Sequence, residues 1–446
     1  MNNLTLTRRC LLRSGAAMLA GFDLAPLPSP LRAAVGSRVK VRGSADQCIF
    51  IFLGGGMSHV DSFDLKEGAW TPQDFDIREA APGVKAPTAL FPKLTKNLGK
   101  VAILRSLETW ETEHGRATYY LHAAHPPSPA RLAEIPSVGA VVAYEFRDRR
   151  KTDDVLPPFI SMNYGPDQVK QGFLDSRFTP LNLDTGGSFD FVVPDGERAR
   201  FERRVAHLRK LEGAGVGLDS DRERQIRAFF ADSLTMMGAP EIRTILKLDE
   251  NERTRYGASR FGDACILARN IVASGRGTRF ISITQGGWDF HANIYGKSEK
   301  SNQYSKSLEL DAGLSALLGD LEARSLLNRT LVVVMGEFGR TTGPITVSKG
   351  RDHHRFAMSG LFAGAGIVGG RAIGATDQFG QRVLDGGWSK KRSVYPEDVA
   401  ATIYSALGID WTTRLSNTPS GRFFEYVEPQ SGTNFFEPAE VAELYG

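Results

Sequence analysis

Five short stretches of this chain are almost continuously apolar, the first closed by glycines: QCIFIFLGGG (Gln47 to Gly56), VAILRSL (Val101 to Leu107), PPFISMN (Pro157 to Asn163), RFISITQGG (Arg279 to Gly287) and TLVVVMGEF (Thr330 to Phe338). A strand with one wet face alternates apolar and polar side chains, so runs of this kind mark strands covered on both faces, as in parallel sheets. GLFAGAGI (Gly360 to Ile367) is a weaker sixth. Helical patterns lie between and after them, at Ser137 to Arg149, Ser259 to Ser274, Ser305 to Ser325 and Pro396 to Leu407, the last opening on Pro-Glu-Asp. The alternation predicts an α/β fold, a three-layer α/β/α sandwich around a mostly parallel central sheet. A length of 446 residues with 41% hydrophobic content supplies the core such a sheet needs.

Two segments depart from this rhythm. Residues 165–255 are rich in Gly, Asp and Arg and then become charged and helical around Asp195 to Gly215 and Asp221 to Met237, which predicts a helical insertion or cap without a buried strand. The N-terminus reads TLTRRCLLRSGAAMLAGFDLAPLPSPLRAA, with Arg8 and Arg9 ahead of a modest apolar run and a Pro-rich stretch. This is the pattern of a twin-arginine signal over 1–34, to be followed by a folded domain over 35–446. The run is interrupted by Arg13 and Asp23, too short to span a bilayer stably, so an exported protein of the periplasm or exterior is expected, with no integral membrane segment after signal removal and the twin-arginine machinery as its export partner. The same segment carries most of the formal charge of +4, so the remaining chain offers no footprint for nucleic acid. Cys48 and Cys265 fall in a strand and a helix, and no CxxC pair argues for structural zinc.

Ligands in open α/β sheets bind outside the carboxyl ends of the strands. Seven of the eight histidines follow strands, His207 being the exception. After the first strand come Ser58, His59, Asp61 and Asp64; after the second, Thr112, Glu113, His114, His122 and His125; after RFISITQGG, Asp289 and His291; after TLVVVMGEF, Glu337, Arg340, Asp352, His353 and His354. Imidazole with carboxylate is a donor set for divalent metals, which polarise anionic esters and activate water, and an arginine such as Arg340 or Arg351 can grip an oxyanion.

The order of FLGGGMSHVDSFDLK, LRSLETWETEHGRATYYLHAAHPP, GGWDFHANI, LLNRTLVVVMGEFGRTTG, GRDHHRFAMSGLFAGAGIVGG and GATDQFGQRV resembles the bacterial family called domain of unknown function 1501, similar in turn to the alkaline phosphatase and sulfatase superfamily. The resemblance covers nearly the whole chain after the signal and implies an alkaline phosphatase-like fold with one or two divalent ions: zinc, calcium, magnesium or manganese. It implies Asp289 and His291 as ligands, with His353 or His354 as the last histidine and Asp352 beside them. Where such enzymes end the first strand with a metal-binding Asp this chain has Gly55, so His59 or Asp61 would substitute; where they have Asp-His after a late strand it has Glu337 and Phe338. The C/S-x-P-x-R nucleophile motif of sulfatases is absent, leaving Thr112 as an alkoxide nucleophile, His114 as a nucleophile or a ligand, or a metal-bound water.

Two functions follow. One is an exported metal-dependent hydrolase of phosphate or sulfate esters, acting on an anionic ester or polysaccharide, with Arg340 on the oxyanion. The other is a non-catalytic envelope binding or assembly protein on a degenerate form of the same fold.

Overall fold

The computed structural model describes residues 39–165, 169–187, 192–214, 221–416, 418–429 and 437–446. The expected 1–34 signal lies outside the described residues. Among the described residues no helix is long and apolar enough to cross a membrane.

The expected strands form one sheet. In chain order they are β1 (Gln47–Phe52), β2 (Val101–Leu107), β3 (Phe159–Met162), β4 (Leu181–Leu183), β5 (Phe280–Thr284), β6 (Thr330–Met335), β7 (Met358–Ala363) and β8 (Arg371–Ile373). Their order in this eight-stranded sheet is β8-β2-β7-β6-β1-β5-β3-β4. Neighbours run parallel at β1/β5, β1/β6, β3/β5, β3/β4 and β2/β8. β7 alone runs against its neighbours β2 and β6. Its reversal has a simple cause: the excursion from β6 carries GEFGR and GRDHH over the carboxyl edge of the sheet, and the chain re-enters from that same edge.

The helices are α1 (His114–Ala123), α2 (Val138–Glu145), α3 (Arg198–Ala214), α4 (Asp221–Gly238), α5 (Glu241–Ile245), α6 (Glu250–Arg255), α7 (Arg260–Ser274), α8 (Gln303–Ala323) and α9 (Pro396–Ala406). Alternate residues of β1 face opposite cores. Cys48, Phe50 and Phe52 join Leu121 of α1, Val141 of α2 and Val399 of α9 on one side; Ile49 and Ile51 join Phe261 and Cys265 of α7 with Leu310 and Leu314 of α8 on the other. The sheet is therefore sandwiched between helical layers, and near-continuous apolar strands are its sequence signature. Cys48 and Cys265, both free and buried, belong to opposite cores.

Caps set the helix ends. The Ser137 hydroxyl accepts from Ala140 N and Ser259 from Gly262 N, while α8 begins at Gln303 because Asn302 and Ser305 cap each other reciprocally. The expected start at Ser305 was thus its third residue. Within 165–255 the described residues form α3 to α6 and also β4, where no strand was expected. Three residues at a sheet edge, only Leu183 of them buried, give too weak a pattern to read.

Candidate metal centre

Strands β1, β5 and β6 are adjacent, so the segments leaving their carboxyl ends are forced together. The segment after β5 is then fastened to GRDHH: Asn293 N donates to Ser348 O at 3.0 Å, Ile294 N to Lys349 O at 2.9 Å, and Arg351 N to Phe290 O at 2.9 Å. Gly350 permits this contact, because a Cβ there would fall 2.0 Å from the His291 carbonyl carbon. His353 and His354 pair with Arg340 and Gly339 in a short antiparallel ladder. Alternation along that ladder sends the two imidazoles different ways.

One donor atom each from His114, Asp289, His291 and His353 lie within 4.8 Å of one another, and together these residues could hold a metal ion. His291 Nε2 is 3.0 Å from Asp289 Oδ1 and 2.9 Å from His353 Nε2. His353 Nε2 is 3.3 Å from Asp289 Oδ1, and His114 Nε2 is 3.3 Å from Asp289 Oδ2. Ligands of a tetrahedral zinc at about 2.0–2.1 Å stand roughly 3.3–3.4 Å apart, and these four contacts, from 2.9 to 3.3 Å, come near that spacing.

The far side of each ring is fixed. His114 Nδ1 is 2.8 Å from Glu337 Oε1, His291 Nδ1 is 2.8 Å from Asp352 Oδ1, and His353 Nδ1 is 2.6 Å from the Thr112 carbonyl. An acceptor on Nδ1 holds the proton there and leaves the Nε2 lone pair pointing inward. His114 Nε2 is buried and has no hydrogen-bond partner, an arrangement that a cation would satisfy.

The electrostatics favour positive charge at the centre. The hydrogen bond that His114 donates to the Glu337 carboxylate raises the pKa of His114 above the ordinary imidazole value. Burial lowers that of His353, keeping its lone pair free. Burial alone would raise the Asp289 carboxyl, but the hydrogen bond and charge of Arg340, with His114 and His291, outweigh it and hold Asp289 at about 2. The centre is open, with the side chains of His291 and Asp289 46% and 42% exposed. Structural zinc sites are closed, whereas reactive ones keep access.

Residues 45–434 match the family described as protein of unknown function (DUF1501). The chain belongs to this DUF1501 family. No curated protein sequence matches it significantly. Among solved structures, a protein in the alkaline phosphatase superfamily from Vibrio parahaemolyticus is 11% identical with a TM-score of 0.39, covering 92% of this chain and 76% of its own. The sulfatase PsFucS1 from Pseudoalteromonas sp. is 11% identical with a TM-score of 0.40 over 90% and 72%. The C-terminal periplasmic domain of EcEptC from Escherichia coli, in complex with Zn, is 10% identical with a TM-score of 0.37 over 92% of each chain.

In this DUF1501 protein several expected ligands stand outside the cluster. Asp61 is buried against Arg351, Nε to Oδ2 at 2.6 Å, and also accepts from Ser58 Oγ at 2.6 Å and Tyr295 OH at 2.8 Å. Both of its oxygens are thus occupied. His59 is fully buried with Nε2 2.8 Å from Gly380 O, and burial drops its pKa to about 4. His354 turns away from His353, stacks on His59 with centroids 6.1 Å apart, and places Nε2 2.8 Å from Gln381 O. Asp352 and Glu337 lie one layer behind the donors, as partners of His291 and His114. Glu337 is anchored by Gly55 N, which donates to its Oε1 at 3.0 Å.

Arg340, expected on the oxyanion, is 1% exposed and committed to the protein. Its Nε donates to Gly56 O at 3.0 Å and Nη1 to Arg351 O at 2.9 Å, while Nη2 reaches Gly55 O and Asp289. Gly55 admits no ligand-bearing side chain: its φ is +108°, and a Cβ would lie 2.5 Å from Asp289 N. Thr112 is exposed and enters the centre through its carbonyl on His353. Nothing in the sequence signalled that the GATDQFGQRV segment meets His59 and His354 outside the cluster, through the carbonyls of Gly380 and Gln381.

Proposed function

We propose that this chain is an exported hydrolase of phosphate or sulfate esters that works with one divalent ion held by His114, Asp289, His291 and His353. The observation that carries this reading is the inward convergence of three Nε2 atoms whose Nδ1 partners are all oxygen acceptors. Three imidazoles and one carboxylate suit zinc better than calcium or magnesium, which prefer all-oxygen shells. Such an ion would polarise the ester and lower the pKa of water, which supplies a nucleophile without the sulfatase motif. His114, with Nδ1 tied to Glu337, is a ligand in this reading. Arg340 positions Asp289 and the Gly55–Gly56 turn.

The expected signal over 1–34 supports export by the twin-arginine machinery to the periplasm or beyond. The second reading, a non-catalytic envelope protein, draws on one observation: the guanidinium of Arg340 is already engaged by Gly55 O, Gly56 O, Arg351 O and Asp289. Zinc-loaded protein assayed with 4-nitrophenyl phosphate and 4-nitrophenyl sulfate separates the two. The hydrolase reading predicts turnover of at least one, abolished by Asp289→Ala; bound metal without turnover of either supports the non-catalytic reading.

A further inference from the structure

Adjacent residues hold the same imidazole in two ways. Glu337 takes His114 at its Nδ1 edge, and Phe338, next in the chain, packs against its ring with centroids 5.0 Å apart and planes inclined by 43°. The Phe338 ring, 1% exposed, also lies 4.3 Å from the His353 ring, inclined by 30°. The two imidazoles meet each other at 4.4 Å and 73°, so the three rings close a triangle. The guanidinium carbon of Arg340, which holds Asp289, is 5.6 Å from the centroid of the same phenyl ring. The seat is tight, since a Cβ on Gly56 would fall 2.7 Å from Phe338 Cδ2.

The hydrogen bonds at Nδ1 do not by themselves set the imidazole planes. The torsion between Cβ and an imidazole is broad, so a ring held at one edge can still swing. The Nε2 lone pair lies in the plane of the ring, and a swing carries the donor out of line. Packing against Phe338 limits that swing for His114 and His353 together. The face of a phenyl ring is also negative, which suits imidazoles that share the charge of a bound cation and the guanidinium beside them.

We propose that Phe338 is a positioning residue of the metal centre, its ring setting the planes of His114 and His353 so that both Nε2 atoms point at one ion. The proposal rests on the reading of His114, Asp289, His291 and His353 as metal ligands. Phe338 brings no donor of its own and reaches the ion only through the two imidazoles. A change at this position therefore alters how the ion is held, and not only how stable the chain is.

The test uses cobalt, which can replace zinc among nitrogen and oxygen donors and whose visible absorption reports ligand geometry. Cobalt spectra and zinc affinity by chelator competition are measured for wild type, Phe338→Leu and Phe338→Tyr, the last keeping the ring. Phe338→Leu is expected to shift the cobalt bands and to bind zinc at least about tenfold more weakly, with circular dichroism as in wild type. Phe338→Tyr is expected to keep the wild-type spectrum and affinity. Phe338→Met, apolar and without a ring, carries the same expectation as Phe338→Leu and stands in for it if that variant does not fold. A folded Leu or Met variant with the wild-type cobalt spectrum and zinc affinity, even at a lower urea midpoint, would overturn the role. So would a folded Tyr variant as impaired as the Leu variant. Wild type that takes up neither cobalt nor zinc would overturn the centre itself, a failure visible before any variant is compared.

Discussion

His114 holds Glu337 through Nδ1 at 2.8 Å and turns its buried, unpartnered Nε2 toward Asp289. A carboxylate behind a ligating imidazole orients the ring and raises its basicity. Glu337→Gln keeps the shape and removes the charge. It should weaken metal binding about 10- to 100-fold while leaving one site per chain, as measured by competition with a chromogenic chelator. Loss of the fold, or unchanged affinity, would remove Glu337 from this role.

Neighbouring histidines should behave differently. His353→Ala deletes a donor and should abolish stoichiometric binding, whereas His354→Ala should keep the metal and loosen the Asp377–Arg382 turn. The contrast is read by metal content beside limited proteolysis of the turn. Metal loss of similar size in both would show that the ladder, not the donor, matters.

Asp61 tests the boundary of the centre from its other side. Arg351 is 0% exposed, so Asp61→Asn leaves a buried guanidinium without its counter-charge. Breaking a buried pair in this way costs about 3–5 kcal/mol. The variant should show a clearly lower urea midpoint with metal stoichiometry intact once folded. A stable variant without metal would restore Asp61 to the ligand set.

Acid should destabilise the protein through histidines away from the centre. Burial holds His59 at about 4 and His122 at about 3. Unfolded imidazoles titrate near ~6.5. Between those values the unfolded chain binds more protons, so stability is complete above about pH 6.5 and is lost as pH falls toward the folded values. His122, surrounded by Phe50, Phe52 and Tyr164, can be replaced by Leu. His122→Leu should lose less stability than wild type between pH 7.5 and 5 in urea titrations; an equal loss would contradict this.

The sheet was legible because strands covered on both faces leave near-continuous apolar runs, as in β1 and β6. The direction of β7 was not, because an apolar run has no polarity; the same-edge return of GRDHH set it. Asp289 and His291 could be named from their place after a strand. The choice between His353 and His354 depended on a ladder with Arg340 and Gly339, invisible in the dipeptide. Asp61 looked like a ligand until Arg351, far away in sequence, was found against it. Glu337 and Arg340 lay close to the right place with different partners: a carboxylate that accepts from a ligating imidazole and one that binds the metal look alike in one dimension.

The most direct measurement is elemental analysis by mass spectrometry of wild type and Asp289→Ala after zinc reconstitution and gel filtration. The structure predicts about one ion per wild-type chain and none in the variant. A wild type that takes up no metal, or a folded Asp289→Ala protein that retains its full complement, would contradict a metal centre at His114, Asp289, His291 and His353.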